Sequence, residues 1–223
     1  MKKLFRSPIF TILLFAIAAG LLIPASIGGT RAALNIVSDY YVAEIILDDI
    51  DVGLTERNAG TEGQDMLIPD GGVLLNEYNV IPEGQDFTLG TTYEEVLKVK
   101  NTGNKIPEYV RVSVFKYWMK DGVKATDLDP SLIDLHFVEG NGWSIDRNAS
   151  TSERTMLYYE GGALVPDALS TEFTDTLTVS EAASATEYNG ASCYIEVIVD
   201  GVQDHNAGPA ITSAWGYNFL GIE

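Results

Sequence analysis

Cysteine is nearly absent from this chain: Cys193 is the single one in 223 residues. No intramolecular disulfide can form, so the fold must rest on packing rather than on covalent staples. Histidine is almost as scarce, with only His136 and His205. Neither lies in an H-E-x-x-H pattern, so the ligand set of a zincin-type peptidase is missing. There is no G-x-S-x-G nucleophile elbow and no phosphate-cradling glycine loop. Positive charge is short as well: 14 Lys and Arg stand against 32 Asp and Glu, a formal net charge of −18. Such a chain repels phosphate backbones and anionic lipid, which argues against nucleic-acid binding. Phe219 to Glu223 carries neither an apolar tail nor a basic stop, so a sorting-signal anchor is not expected.

What is present begins at the N-terminus. Lys2, Lys3 and Arg6 make a basic start, Phe10 to Ile23 is a nearly unbroken apolar run, and small residues follow. This is the layout of a secretory signal peptide over residues 1–32. The run is shorter than the ~20 residues that span a bilayer comfortably, which weighs against the alternative of a retained anchor. Thr30 and Ala32 occupy the small-residue positions before a cut between Ala32 and Ala33. Cleavage there removes four basic residues (Lys2, Lys3, Arg6, Arg31) and no acidic ones, taking the charge from −18 to −22. About 190 residues remain, enough for one domain with a substantial core. The membrane is then a partner only before cleavage. The partners expected afterwards are cations, basic surfaces, or copies of the chain once its charge is screened. An exported chain without cystines fits a Gram-positive cell surface.

Residues 33–223 read as a single domain of strands. Tyr41 to Leu47 and Ile50 to Leu54 are apolar and β-branched; Met66 to Ile68 and Val73 to Leu75 are short; residues 55–65 read as a loop. Tyr93 to Lys100 leads into a turn at Asn101-Thr102-Gly103-Asn104. Tyr109 to Trp118 is the strongest strand, with Val110, Val112 and Val114 on one face and Arg111, Ser113 and Phe115 on the other. Thr155 to Glu160, Phe173 to Val179 and Ala191 to Val202 follow. In the last, Cys193, Ile195, Val197 and Val199 alternate with Tyr194, Glu196 and Ile198, so one face is partly exposed unless Tyr194 and Ile198 find cover. Cys193 reads as a small core hydrophobe. Helical signals are few: one turn at Asp129-Pro130-Ser131, a short helix over Ser180 to Tyr188, and another over Ala207 to Trp215 with Asn206 as its cap. Many short strands with polar, glycine-rich turns predict an all-β fold, an antiparallel β-sandwich of jelly-roll type with a few short helices.

The residues that might carry chemistry are mostly acids. Asp48, Asp49 and Asp51 cluster, and Asp49 with Asp51 would share one side of a strand. Asp127 with Asp129 repeats that spacing, and Asp200 and Asp204 flank a turn. Such pairs are weak candidates for calcium, which takes six to eight oxygen ligands, but no D-x-D-x-D-G loop is present. Adjacent aspartates in so acidic a chain more often form a solvated edge. His136 and His205 read as a strand residue with a local hydrogen bond and a turn residue. Arg111 reads as half of a cross-strand ion pair. Trp118, Trp143 and Trp215 are scattered as core plugs are, with a sugar-stacking platform as the alternative.

Gly28-Gly29-Thr30-Arg31-Ala32 with Ser38-Asp39 beyond it is similar to signal peptides cut by the SipW-type peptidase of Gram-positive bacteria. The body adds Asn101-Thr102-Gly103, Glu108-Tyr109-Val110-Arg111-Val112, Asp127-Leu128-Asp129-Pro130-Ser131-Leu132-Ile133 and Phe173-Thr174-Asp175. The tail adds Val202-Gln203-Asp204-His205-Asn206-Ala207, Ala210-Ile211 and Ala214-Trp215-Gly216. Together these resemble exported members of the TasA/camelysin family. The resemblance covers most of the chain and is weak over residues 41–92. It departs at Ala33-Leu34-Asn35-Ile36-Val37, where an aromatic usually follows the cut. It implies a jelly-roll sandwich, a place in extracellular biofilm-matrix fibres, and assembly in which a freed N-terminal segment completes the sheet of the next subunit. Leu34, Ile36, Val37, Tyr40, Tyr41 and Val42 make residues 33–42 apolar enough to bury as such a donor strand. Camelysin-like members have been called metallopeptidases, an activity these residues do not support. The expected role is a secreted structural protein, a fibre subunit or accessory without an enzymatic function or required cofactor. The alternative is a cell-surface adhesin or glycan-binding module.

Overall fold

A computed structural model of the chain describes residues 50–58, 63–69, 74–75, 81 and 86–223. The described residues all lie in one compact unit, Asp48–Glu223. The strands are β1 (Val52–Asn58), β2 (Gln64–Leu67), β3 (Thr92–Glu94), β4 (Leu97–Asn101), β5 (Glu108–Lys120), β6 (Val123–Lys124), β7 (Ile133–Phe137), β8 (Trp143–Ile145), β9 (Arg154–Tyr159), β10 (Thr174–Val179) and β11 (Ala191–Gln203). A helix, α1 (Ala207–Trp215), follows them. The fold is all-β, and every strand pairing among the described residues is antiparallel.

Three sheets run in the orders β2-β1-β4, β3-β10-β7 and β11-β5-β9-β8, with β6 added to the end of β5. The first two are continuous through the backbone. Only Glu95 and Val96 separate β3 from β4, and residues 168–173 run along β4 before entering β10. The hydrogen bonds are Phe173 N–H to Leu97 C=O at 3.0 Å, Ser170 N–H to Val99 C=O at 2.8 Å, and Asn101 N–H to Ala168 C=O at 3.0 Å.

The alternation of β5 decides where the core sits. Val110, Val112 and Val114 are buried and join one apolar cluster with Leu97, Val99, Leu135, Leu157, Phe173 and Leu177 from the other strands. Each such side chain contributes about 1.5–3 kcal/mol by leaving water. Trp143 is fully packed in this cluster against Tyr159 and Phe173, with its indole N–H donated to Thr171 C=O at 2.9 Å. A second, smaller cluster seats α1, where Ile211 and Ala207 pack on Val202.

Several expectations need correction. Residues 55–58 and 64–65 are strand, not loop: Thr55 and Glu56 are polar, yet both are buried in β1 between β2 and β4. Leu74 and Leu75 lie in a turn, with Leu75 at φ 70, rather than in a strand. The expected strand over Tyr93 to Lys100 is broken at Glu95-Val96. Ser180 to Tyr188 forms two 3-10 turns, Glu181–Ser184 and Thr186–Tyr188, instead of one helix. Asn206 precedes α1 in a left-handed conformation (φ 52) and makes no side-chain capping bond. The turn at Asp129 is as expected: its carboxylate accepts from Ser131 N–H at 2.8 Å, ahead of Pro130 at the first turn position.

Candidate functional site

β11 is thirteen residues long and pairs with β5 along its whole length, from Ala191 opposite Lys120 to Gln203 opposite Glu108. Its other edge has no strand partner among the described residues. Such an edge presents a row of unpaired backbone donors and acceptors. The strand is also undercovered on both faces. Cys193, Ile195, Val197 and Val199 point inward but stay half-buried, while Tyr194 and Ile198 on the outer face are 48% and 43% exposed.

The inward residues line a groove of about 990 Å³. Its opposite wall comes from Val52 and Leu54 of β1, Ile68, Leu74 and Leu75 beyond it, and Leu97, Leu135 and Leu177. One ionisable group on that wall is fully buried: Glu95, 1% exposed, at the step between β3 and β4. Its backbone is fixed on both sides, N–H to Asp175 C=O at 2.9 Å and C=O accepting from the Thr174 hydroxyl at 2.8 Å. Its carboxyl faces Glu56 of β1, whose Oε1 accepts the Leu75 N–H at 2.7 Å. Burial, the Glu56 charge and the hydrogen bond between them push Glu95 up to about 9. At neutral pH Glu95 therefore keeps its proton.

A second buried acid ties the start of β1 to β5. Glu108, at 0% exposure, accepts the Asp51 N–H at 3.1 Å. Burial raises its pKa; the Asp51 backbone bond opposes the shift and the Asp51 charge adds to it. Gly201 lies against this carboxylate and the start of β1, where a Cβ would stand 2.6 Å from Glu108 Oε2.

The residues singled out in the sequence fall in different places. Thr30, Ala32, Ala33, Leu34, Ile36, Val37, Tyr40, Tyr41, Val42, Asp48 and Asp49 lie outside the described residues. Asp51 is exposed, and its backbone C=O accepts from Thr102 and Gly103 N–H at 2.8 and 3.0 Å. No three of His, Cys, Asp and Glu converge on a metal-sized site among the described residues. Asp127, Asp129 and Asp204 are exposed, and Asp200 serves Arg111. His136 lies across from Asp175, Nδ1 to Oδ1 at 2.7 Å; burial pushes Asp175 up, but hydrogen bonds from His136 and Thr176 outweigh it and hold it low. His205 is an exposed turn residue. Cys193 is half-buried on the groove wall, short of a full core position, and burial pushes its thiol up, away from the reactive thiolate.

The tryptophans do not form a platform. Trp118 and Trp143 are core residues, and Trp118 donates its indole N–H to Asp129 C=O at 2.9 Å. Trp215 of α1 covers Tyr158 and the Arg111 guanidinium, 5.1 Å from its ring centre. Half-buried Tyr117 and exposed Tyr194 stack at 5.7 Å and 12° across β5 and β11. Their cross-strand pairing was legible only once the register was known. Glu56 and Glu95 went unnoticed in the sequence because a glutamate in a strand carries no signal of burial.

Comparison with family models, with curated proteins and with solved structures finds no match. No helix among the described residues is long and apolar enough to cross a membrane.

Proposed function

We propose that this chain is an exported structural protein, a subunit or accessory of an extracellular fibre or biofilm matrix of the TasA/camelysin kind, assembled by strand donation. In this reading the sheets form a jelly-roll sandwich open along β11. Residues 1–32 are a signal peptide removed by a SipW-type peptidase at a Gram-positive surface, and residues 33–42 are donated to the next copy. The observation that carries the reading is the β11 edge, thirteen residues without a second partner among the described residues, beside an apolar groove of about 990 Å³. An added strand satisfies edge backbone groups and fills alternate pockets at once. Head-to-tail donation need not close, so it yields a filament. The processed chain's charge of −22 opposes assembly, and salt or calcium promotes it by screening. The chain acts by assembling, with no catalytic step of its own.

Electron microscopy of residues 33–223 across a salt titration tests this. Filaments are expected, and a protein lacking residues 33–41 is expected to stay folded and monomeric. Identical filaments from the truncated protein, or none from the processed chain at any salt or calcium concentration, would overturn the proposal.

One observation favours a second reading, a cell-surface adhesin or glycan-binding module. Tyr117 and Tyr194 stack on an open sheet face, with the Lys124 ammonium 5.2 Å from the Tyr117 ring centre. A glycan array that loses its signal on Tyr194→Ala while assembly persists would support it.

A further inference from the structure

We infer that the groove receives Tyr40 of a second copy, whose phenol hydroxyl donates to the open carboxyl oxygen of Glu95, and that this bond sets the register of the donated strand. The inference rests on the strand-donation reading. Glu95 is buried, and its backbone N–H and C=O are both tied to the start of β10. Both of its carboxyl oxygens are buried on the groove wall, and neither accepts a hydrogen bond from a described residue. A buried acceptor left unpaired is costly, so an occupant bringing a donor gains more than its apolar burial alone.

The alternation of the donor segment decides which of its faces can enter. Along a strand, Leu34, Ile36, Ser38, Tyr40 and Val42 share one side; Asn35, Val37, Asp39 and Tyr41 share the other. Turning the second set inward would bring the Asp39 carboxylate toward two buried carboxyls. The first set is uncharged and offers two hydroxyls. Packed sheets stand about 10 Å apart, a gap that serine is too short to cross from a strand beside β11, whereas tyrosine reaches across to an opposing glutamate. In the same register Val37 and Tyr41 emerge on the outer face, where Tyr194 and Ile198 are exposed. Asp39 then faces water.

The test uses the processed chain, residues 33–223, with assembly read as the concentration above which filaments pellet. Tyr40→Phe removes only the hydroxyl and is expected to raise that concentration about ten-fold, the worth of one buried hydrogen bond. Tyr41→Phe is expected to leave it unchanged. Glu95→Gln keeps an acceptor for the phenol and a donor for Glu56, so it should assemble like the parent. Glu95→Leu, checked for folding by thermal melting, should match Tyr40→Phe, and the two together should cost no more than either alone. Cys193 gives a measurement independent of these substitutions: under mild oxidation Ile36→Cys should form disulfide-linked oligomers through a neighbour's Cys193, and Val37→Cys should not. Unchanged assembly by Tyr40→Phe, or cross-linking from Val37→Cys in place of Ile36→Cys, overturns the register while leaving strand donation standing. Failure of the unsubstituted chain to form filaments removes both.

Discussion

Glu95 and Glu56 meet inside the fold, where the chain steps from β3 to β4, and Glu95 keeps its proton there. Two carboxylates at that depth cannot both ionise cheaply, so the structure favours the protonated state of Glu95.

This fixes the sign of a pH effect. An ordinary glutamate in the unfolded chain titrates near 4.5, whereas Glu95 in the fold is raised to about 9. Below about pH 4.5 both states carry the proton and the group costs nothing. Between the two values the unfolded chain releases a proton that the fold retains, so stability falls by up to about 1.4 kcal/mol per pH unit. Thermal melts are expected to show a midpoint higher at pH 5 than at pH 8.5. Glu95→Gln should flatten that slope, which general charge repulsion across the chain would not explain.

Arg111 joins β5 to β11 and to α1. Its Nε and Nη2 both donate to Asp200 Oδ2, at 3.0 and 2.8 Å, and Trp215 covers its guanidinium. Arg111→Ala is expected to cost about 1–3 kcal/mol, more than an exposed ion pair, because it also removes the cation–π contact. Denaturant unfolding measures the loss, and a red-shifted tryptophan emission before global unfolding would report release of Trp215.

Trp143→Ala should be among the most damaging single changes, about 3–5 kcal/mol. It empties a packed site between Tyr159 and Phe173 and orphans Thr171 C=O. Urea midpoints for Trp143→Ala and Trp143→Phe should separate the cavity from the hydrogen bond.

Gly208→Ala in α1 should destabilise, although glycine to alanine inside a helix ordinarily stabilises by about 1 kcal/mol. A Cβ there would collide with the backbone carbonyl oxygen of Ile222, so the tail must move. Faster amide hydrogen exchange over residues 218–223, with a lower melting midpoint, is the expected outcome.

The strands that were legible share one property: their apolar residues alternate against water or against a charge. Val110, Val112 and Val114 announce β5, and Cys193 to Val199 announce β11. Where polar side chains are buried, alternation gives no warning. Thr55 and Glu56 read as loop because nothing local says that a carboxyl will be buried against a second one 39 positions later. β8 escaped notice because three residues are too few for a period. The groove could not be read at all, since it arises from which strands lie side by side, and that is set by pairings far apart in the chain.

The long β5–β11 pair also has a mechanical meaning. Thirteen residue pairs in antiparallel register make a ribbon roughly 44 Å long at about 3.4 Å per residue. Its hydrogen bonds lie across the strand direction. A pull along the strands therefore loads these bonds together in shear, whereas a pull at one end across them would break each in turn. A tether acting along this axis therefore has to break the whole ribbon at once.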